Sequence, residues 1–231
     1  PYTWIDGVTY TSSNNTAMDT IFGGAANGCD SVVTLDLTVD PCLSPIWEHI
    51  GTDIDGENSG DESGSSVSMS ADGSTVVIGT PESDANGTNS GYARVYRHSG
   101  GIWTQLGGDL IGDKTNDIAG SAVSINSDGS VVAIGAPKHA AFVTDTNYVK
   151  VYQYDGSSWA QLGETIKGKE SLESFGNSLS LSADGHTLVV GGPLGGSPTE
   201  GVARVYKYGG GKWAQLGNCL LYTSPSPRDR Y

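Results

Sequence analysis

The chain is short of several things at once. It has 3 Phe and 2 Met in 231 residues, so it lacks the bulky flexible side chains that usually fill helical cores. It has 12 Lys plus Arg against 26 Asp plus Glu, a formal net charge of -14. That balance excludes nucleic-acid phosphates and anionic membranes as ordinary partners. No apolar run approaches the roughly 18 residues that a membrane span requires, so membrane insertion is not expected. No charged segment followed by an apolar stretch opens the chain, and because it begins at Pro1 this says nothing about export. Cysteine is scarce too: 3 in all, Cys29, Cys42 and Cys219. Cys29 and Cys42 could pair in an exported protein, or each could have a partner elsewhere; spacing does not decide.

What is abundant is glycine, 34 residues, and with it comes a repeat. Trp47, Trp103, Trp159 and Trp213 open the similar runs WEHIG, WTQLG, WAQLG and WAQLG, at spacings of 56, 56 and 54. Tyr96, Tyr152 and Tyr206 recur in RVY or KVY, and the runs ending at Pro81, Pro137 and Pro193 keep a spacing of 56. A period of this length marks a propeller, solenoid or array. Each unit carries four strand-like runs, counted from the Trp. The second alternates apolar residues with Ser, the pattern of a half-buried strand. The third, TVVIG, VVAIG or TLVVG, is continuously apolar and expected to be buried on both faces. Four antiparallel strands per unit predict an all-β fold, a partial β-propeller of about three four-stranded blades over 46–218.

Asp-Gly separates the second and third runs each time, as Asp72-Gly73, Asp128-Gly129 and Asp184-Gly185. Both residues tolerate positive φ, so these pairs are read as structural hairpin turns. The recurrent Trp47, Trp103, Trp159 and Trp213, with Tyr96, Tyr152 and Tyr206, are read as inter-blade core rather than sugar-stacking platforms, because large aromatics dominate burial.

The segment FGNSLSLSADGHTLVVGGP, Phe175 to Pro193, resembles the FG-GAP repeat of integrin-α-type β-propellers. Unit two keeps Gly135-Ala136-Pro137 but has Ala119-Gly120 for Phe-Gly, and unit one has Ser63-Gly64 with Gly79-Thr80-Pro81. The resemblance implies the propeller fold. It also implies that calcium could sit in an Asp-rich loop between the second and third strands. Calcium takes about six to eight oxygens, and here the loop holds one acid, so no cofactor is expected there. A weaker calcium candidate is the run Asp53, Asp55, Glu57 and Asp61, with a solvated connecting loop as the competing reading.

The first forty residues stand outside the period. Tyr2-Thr3-Trp4 and Gly28 to Leu35 resemble a short all-β module repeated in surface and gliding-type adhesins of Bacteroidetes-type bacteria, many bearing type IX secretion signals. A cysteine upstream of Tyr-Thr-Trp belongs to that pattern, which implies that Cys29 has its partner before Pro1. Clean alternation runs from Val33 to Val39. The expected organisation is a module at 1–40, a stiff Pro-containing linker at 41–45, the repeat at 46–218 and a tail at 219–231. That tail, CLLYTSPSPRDRY, is similar to a translated sequencing adapter and is expected to be disordered. Without it the balance is 10 bases against 25 acids, so the acidity is intrinsic.

No catalytic arrangement is visible. His49, His98, His139 and His186 are scattered, with no paired-His spacing, nucleophile elbow or phosphate loop. The chain is therefore expected not to be an enzyme. It is read as an extracellular or cell-surface module for adhesion or ligand binding, with an extracellular protein or glycan and the remaining blades of the chain as partners. The polar loop Glu82–Gly91 is the kind of variable loop where binding is usually placed. The alternatives are a glycan-active enzyme built on a propeller and a structural spacer. An incomplete propeller is expected to be weakly stable or to self-associate through an exposed blade face.

Overall fold

A computed structural model describes residues 2–3, 9–10, 18–21, 31–34, 49–137, 147–170, 173–194 and 201–221. Two compact units are present, Pro1–His49 and Ile50–Tyr231. Trp47, Cys29, Cys42, His139, the 41–45 linker and 222–231 lie outside the described residues.

In the first unit β1 (Tyr2–Thr3) pairs antiparallel with β2 (Thr9–Tyr10), and the Thr3 and Thr9 hydroxyls lie 2.8 Å apart. β3 (Met18–Ile21) pairs antiparallel with β4 (Ser31–Thr34). The alternating run from Val33 is thus strand through Thr34, and 35–39 are outside the described residues.

The second unit holds three antiparallel sheets, one per repeat. Sheet I is β5 (Ser66–Met69), β6 (Thr75–Thr80), β7 (Tyr92–Ser99) and β8 (Ile102–Gln105), with a short β9 (Leu110–Ile111) also paired to β7. Sheet II is β10 (Ala122–Ile125), β11 (Val131–Ala136), β12 (Tyr148–Tyr154) and β13 (Trp159–Gln161), with β14 (Ile166–Lys167) on β12. Sheet III is β15 (Ser178–Leu181), β16 (Thr187–Gly192), β17 (Val202–Gly209) and β18 (Lys212–Leu221). Among the described residues there is no helix, and the sheets are blade-like pieces without a closed propeller.

Three expectations change. The Trp run does not open a sheet; it closes one, since β8, β13 and β18 are each the outer strand hydrogen-bonded to the preceding RVY strand. Hairpin connectivity decides this: only Gly100-Gly101 separate β7 from β8, so the two must pair. Second, the continuously apolar run is buried on both faces only in sheet II, where every residue of β11 is buried. β6 and β16 have half-buried or exposed positions because each has a neighbouring sheet on one side only among the described residues. Third, expected disorder does not cover all of 219–231: Cys219–Leu221 continue β18, pairing Leu220 with Ala203 and Leu221 with Val202. Strand pairing uses backbone groups, so any extended segment at this edge can supply them.

Period-two alternation decides the packing. Rows Ser66–Gly79–Ala93 and Ser68–Val77–Val95 point from sheet I to sheet II. They meet Val123, Ile125, Val132 and Ile134 in one core, with Tyr152 and Trp159 packed against it. One sheet later the same rows repeat, as Val149, Ala133 and Val151 meet Phe175, Leu188, Val190 and Tyr206. Small residues face large ones, which lets strands lie close. A Cβ on Gly79 would stand 2.0 Å from the Gly120 carbonyl oxygen, and one on Gly135 2.0 Å from that of Gly176.

Candidate functional site

One end of the sheets is built from the Asp-Gly turns. Gly73, Gly129 and Gly185 have φ of 72°, 76° and 70°, whereas Asp72, Asp128 and Asp184 do not have positive φ. The turn is therefore not the two-residue form in which both central residues are left-handed. Gly73 N–H donates to Ser70 O at 3.0 Å, the pattern of a type I turn followed by a left-handed glycine. Each Asp is tied into its own loop. Asp72 Oδ1 accepts from the Ser70 hydroxyl at 2.6 Å and from Ser74 N–H at 2.9 Å. Asp128 accepts from Ser130 and Asp184 from Ser182 and His186 N–H. These bonds to the ionised form, the Ser70 hydroxyl first, hold the Asp72 carboxyl down at about 2. Asp128 and Asp184 are lowered likewise, chiefly by the hydroxyls of Ser130 and Ser182.

The recurrent tryptophans are half-buried straps between sheets. Trp159 Nε1 donates to Leu106 O at 2.6 Å, Trp213 Nε1 to Leu162 O at 2.8 Å and Trp103 Nε1 to Ile50 O at 2.9 Å. Each also packs in a tilted ring contact on the residue across its hairpin, with centroids 5.1 Å apart for Trp159 and Tyr154, 5.3 Å for Trp213 and Tyr208, and 5.1 Å for Trp103 and His98. Of the tyrosines, Tyr206 is buried, while Tyr96 and Tyr152 are half-buried, with burial raising the Tyr152 phenol to about 12.

The opposite end carries the charge. Arg94 on β7 forms a bidentate pair with Asp109, Nε and Nη2 each 2.7 Å from a carboxylate oxygen, and its Nη1 lies 2.7 Å from Glu57. Gln105 Nε2 donates to Asp109 at 2.7 Å. The Asp109 carboxyl is lowered, first by Arg94, and the guanidinium is raised, first by Asp109. Asp61 is buried and accepts from Asn58 Nδ2 at 3.1 Å. A cavity of about 410 Å³ opens here, lined by Glu57, Asn58, Asp61, Asp84, Arg94 and Asp109 among others. Of the calcium candidates, Glu57 and Asp61 reach this cavity; Asp53 and Asp55 are exposed and do not line it. No group of three or more acids, His or Cys among the described residues is arranged to hold a metal. The Arg94 guanidinium is the cation that pairs with two of the lining carboxylates, Glu57 and Asp109.

Sequence reading missed a second periodic set. Asp61, Asp117 and Glu173 are buried acids 56 residues apart, each followed three residues later by Gly64, Gly120 or Gly176. The intervening Glu62, Ile118 and Ser174 have positive φ. Asp117 accepts from the Tyr148 hydroxyl at 2.8 Å and Lys114 N–H at 2.9 Å; Glu173 pairs with buried Arg204. Alignment of the acids on the glycine, rather than on one another, exposes the period. The loop Glu82–Gly91 is also less free than its polarity suggests. Asn86 Nδ2 donates to Gly112 O at 2.9 Å and Asp113 O at 3.0 Å, and Asn116 N–H donates to Thr88 O at 2.8 Å, pinning the loop to the segment entering sheet II. His49, His98 and His186 belong to no common site.

A family model described as FG-GAP repeat matches residues 52–96. An FG-GAP repeat is therefore present in the first unit, which has Ser63-Gly64 in place of Phe-Gly and keeps Gly-x-Pro as Gly79-Thr80-Pro81. No curated protein matches the chain. Similar solved structures include a putative 6-phosphogluconolactonase from Bacteroides fragilis, at 13% identity and TM-score 0.47 over 67% of this chain and 38% of that one. A second putative 6-phosphogluconolactonase, from Bacteroides uniformis, has 15% identity and TM-score 0.46 over 71% and 42%. The periplasmic gluconolactonase of Pseudomonas aeruginosa has 15% identity and TM-score 0.38 over 71% and 58%. The chain spans about two-fifths of the first two. These neighbours bear the names of enzymes, so the expectation that the chain is not an enzyme is withdrawn. Their likeness carries no assignment of a reaction.

Proposed function

We propose that this chain supplies a ligand-binding face of a larger propeller at the cell surface or outside the cell, and that the face is the charged end of the sheets. The supporting observation is the cavity at Arg94. Its volume of about 410 Å³ is in the range of small-ligand sites. Its lining offers the carboxylates of Glu57, Asp61, Asp84 and Asp109 against one guanidinium already engaged by two of them. Carboxylates accept from hydroxyl and ammonium groups, so a saccharide rich in hydroxyls suits the site better than an anion. Rigid sheets behind a loop-built rim are the usual setting for such recognition. Screening the chain against a glycan panel tests this, with Glu57→Gln as the control variant. Glu57 has an exposed side chain, so the fold tolerates the change. Binding weakened by roughly tenfold, about 1.4 kcal/mol, is expected. A wild-type chain that retains no glycan, or a variant that binds equally well, overturns the reading.

A second reading, a glycan-active enzyme, draws on the same carboxylates, since glycoside hydrolysis works with a pair of Asp or Glu residues. Incubation of each retained glycan with the chain separates the two: product release supports the enzyme, and unchanged ligand supports binding alone.

A further inference from the structure

The two outermost sheet faces of the second unit are the two halves of an interface that the chain already makes twice. Val67 and Met69 on sheet I are 66% and 57% exposed, whereas their repeat counterparts Val123 and Ile125 are 8% and 7% exposed against sheet I. On sheet III, Val189 is 39% exposed, whereas its counterparts Val77 and Ala133 are fully buried. The row Ser180–Val189–Val205 is the counterpart of Ser68–Val77–Val95, which covers the large residues of sheet II.

The polar contacts repeat in the same way. Ile125 N–H donates to Ser68 Oγ at 3.2 Å and Leu181 N–H to Ser124 Oγ at 2.9 Å; the next members of this series are Met69 N–H and Ser180 Oγ. Ala71 N–H donates to Ser127 O and Ser127 N–H to Ala183 O; the next pair is Ala183 N–H and Ala71 O. A Cβ on Gly129 would meet Thr75 at 2.8 Å and one on Gly185 would meet Val131 at 2.9 Å, while Gly73 has only Met69 Sδ, at 3.8 Å. Thr187 of sheet III is the residue that would fill that place.

We propose that a second copy of this chain docks head to tail, its sheet III face (Ser178, Ser180, Val189) on the sheet I face (Val67, Met69) of the first. The contact continues the interface of sheets I–II and II–III, and each half supplies what the other lacks: small residues with Ser hydroxyls on one side, large apolar residues on the other. Docking rests on the inner three strands. Ile50 and Gly51 already seat Trp103 as Leu106 and Gly107 seat Trp159, so the incoming Leu216-Gly217 must give way there. Each copy keeps both faces, so association proceeds to a closed ring or an open chain. A net charge of -14 on each copy opposes it, so it strengthens with salt.

The test is sedimentation of the full chain at about 0.5 M salt, where the screening length is about 4 Å. Wild type is expected to sediment as concentration-dependent oligomers. Val67→Glu blocks one face and Val189→Glu the other, and each variant alone is expected to be monomeric, its association weakened by roughly tenfold or more by the buried charge. A mixture of the two variants retains one good face of each kind and is expected to form one-to-one dimers and stop. Both substitutions are at exposed positions, and Met69→Lys with Ser180→Arg gives an independent pair. A monomeric wild type, oligomers of either variant alone, or a mixture that stays monomeric each overturns the proposal.

Discussion

The backbone N–H of Ala71 donates to the carbonyl of Ser127 at 2.9 Å, joining the turn of one sheet to the turn of the next. The Ser127 N–H repeats the bond to Ala183 O at 3.1 Å, and its hydroxyl adds another at 3.0 Å. The Asp-Gly turns are thus a ladder that fixes the spacing of neighbouring sheets. Their aspartates point inward to their own loops, where they hold the backbone that makes the ladder.

That role predicts an acid-sensitive turn. The Asp72 carboxyl sits at about 2, below its ordinary 3.8, because the Ser70 hydroxyl and then the Ser74 N–H favour the ionised form. A carboxyl lowered by folding stabilises the fold fully above its unfolded value. That stabilisation is lost as pH falls from about 3.8 through about 2. Carboxyl-carbon NMR titration is expected to place the Asp72 midpoint near 2, and Ser70→Ala to move it up toward 3.8. A variant midpoint unchanged from wild type would show that the hydroxyl is not the main cause.

The tryptophan straps give a second prediction. Trp159→Phe keeps an aromatic ring beside Tyr154 but removes the Nε1–H donor to Leu106 O. The loss expected in denaturant unfolding is about 1 kcal/mol, the net worth of one hydrogen bond. Trp159→Ala removes the ring packed against the I–II core as well and is expected to cost about 3 kcal/mol, at the low end for aromatic truncation because the ring is half-buried.

How far the fold was legible follows from what repetition can carry. Three copies in phase made the strands, the turns and the Trp positions readable, because each copy tested the others. The phase of the sheet was not readable from period alone: a repeat has no marked start, and only the two-glycine hairpin at Gly100-Gly101 shows that Trp103 closes a sheet. The charged end was harder. Glu57 and Asp61 looked like metal ligands because acids dominate that segment, but Glu57 pairs with Arg94, far along the chain, and buried Asp61 accepts from Asn58. The set of Asp61, Asp117 and Glu173 stayed hidden because the acid changes length between repeats and the two residues after it change each time.

Close approach of the sheets sets a third prediction. Gly135 has no side chain because a Cβ would lie 2.0 Å from the Gly176 carbonyl oxygen. Backbone cannot move aside as a side chain can, so Gly135→Ala is expected to destabilise by several kcal/mol, in the class of severe substitutions. A Cβ on Gly108 would meet nothing within 4 Å, and its φ is not positive. Gly108→Ala is expected to stay within about 0.5 kcal/mol of wild type. Equal melting behaviour of the two variants would contradict the close-packed interface.

The last prediction separates two ion pairs whose basic residues, Arg204 and Lys150, share a position in the repeat while their acids do not. Arg204 and Glu173 are 5% and 1% exposed, and Glu173 Oε2 also accepts from Lys169 N–H at 2.9 Å. Lys150, the counterpart of Arg204, pairs with Asp113 from a different position of the loop, and Asp113 is about half exposed. Removing one partner of a buried pair strands the other charge, so Glu173→Gln is expected to lose about 3–5 kcal/mol in denaturant unfolding. Asp113→Asn leaves Lys150 near solvent and is expected to lose at most about 1 kcal/mol. The double variant Glu173→Leu with Arg204→Met removes both charges and is expected to recover much of the first loss, because no unpaired charge remains. Recovery in the double variant would show that the pair matters for matching charge in a closed space; a double variant as unstable as Glu173→Gln would show that the backbone bonds to Glu173 carry the stability instead.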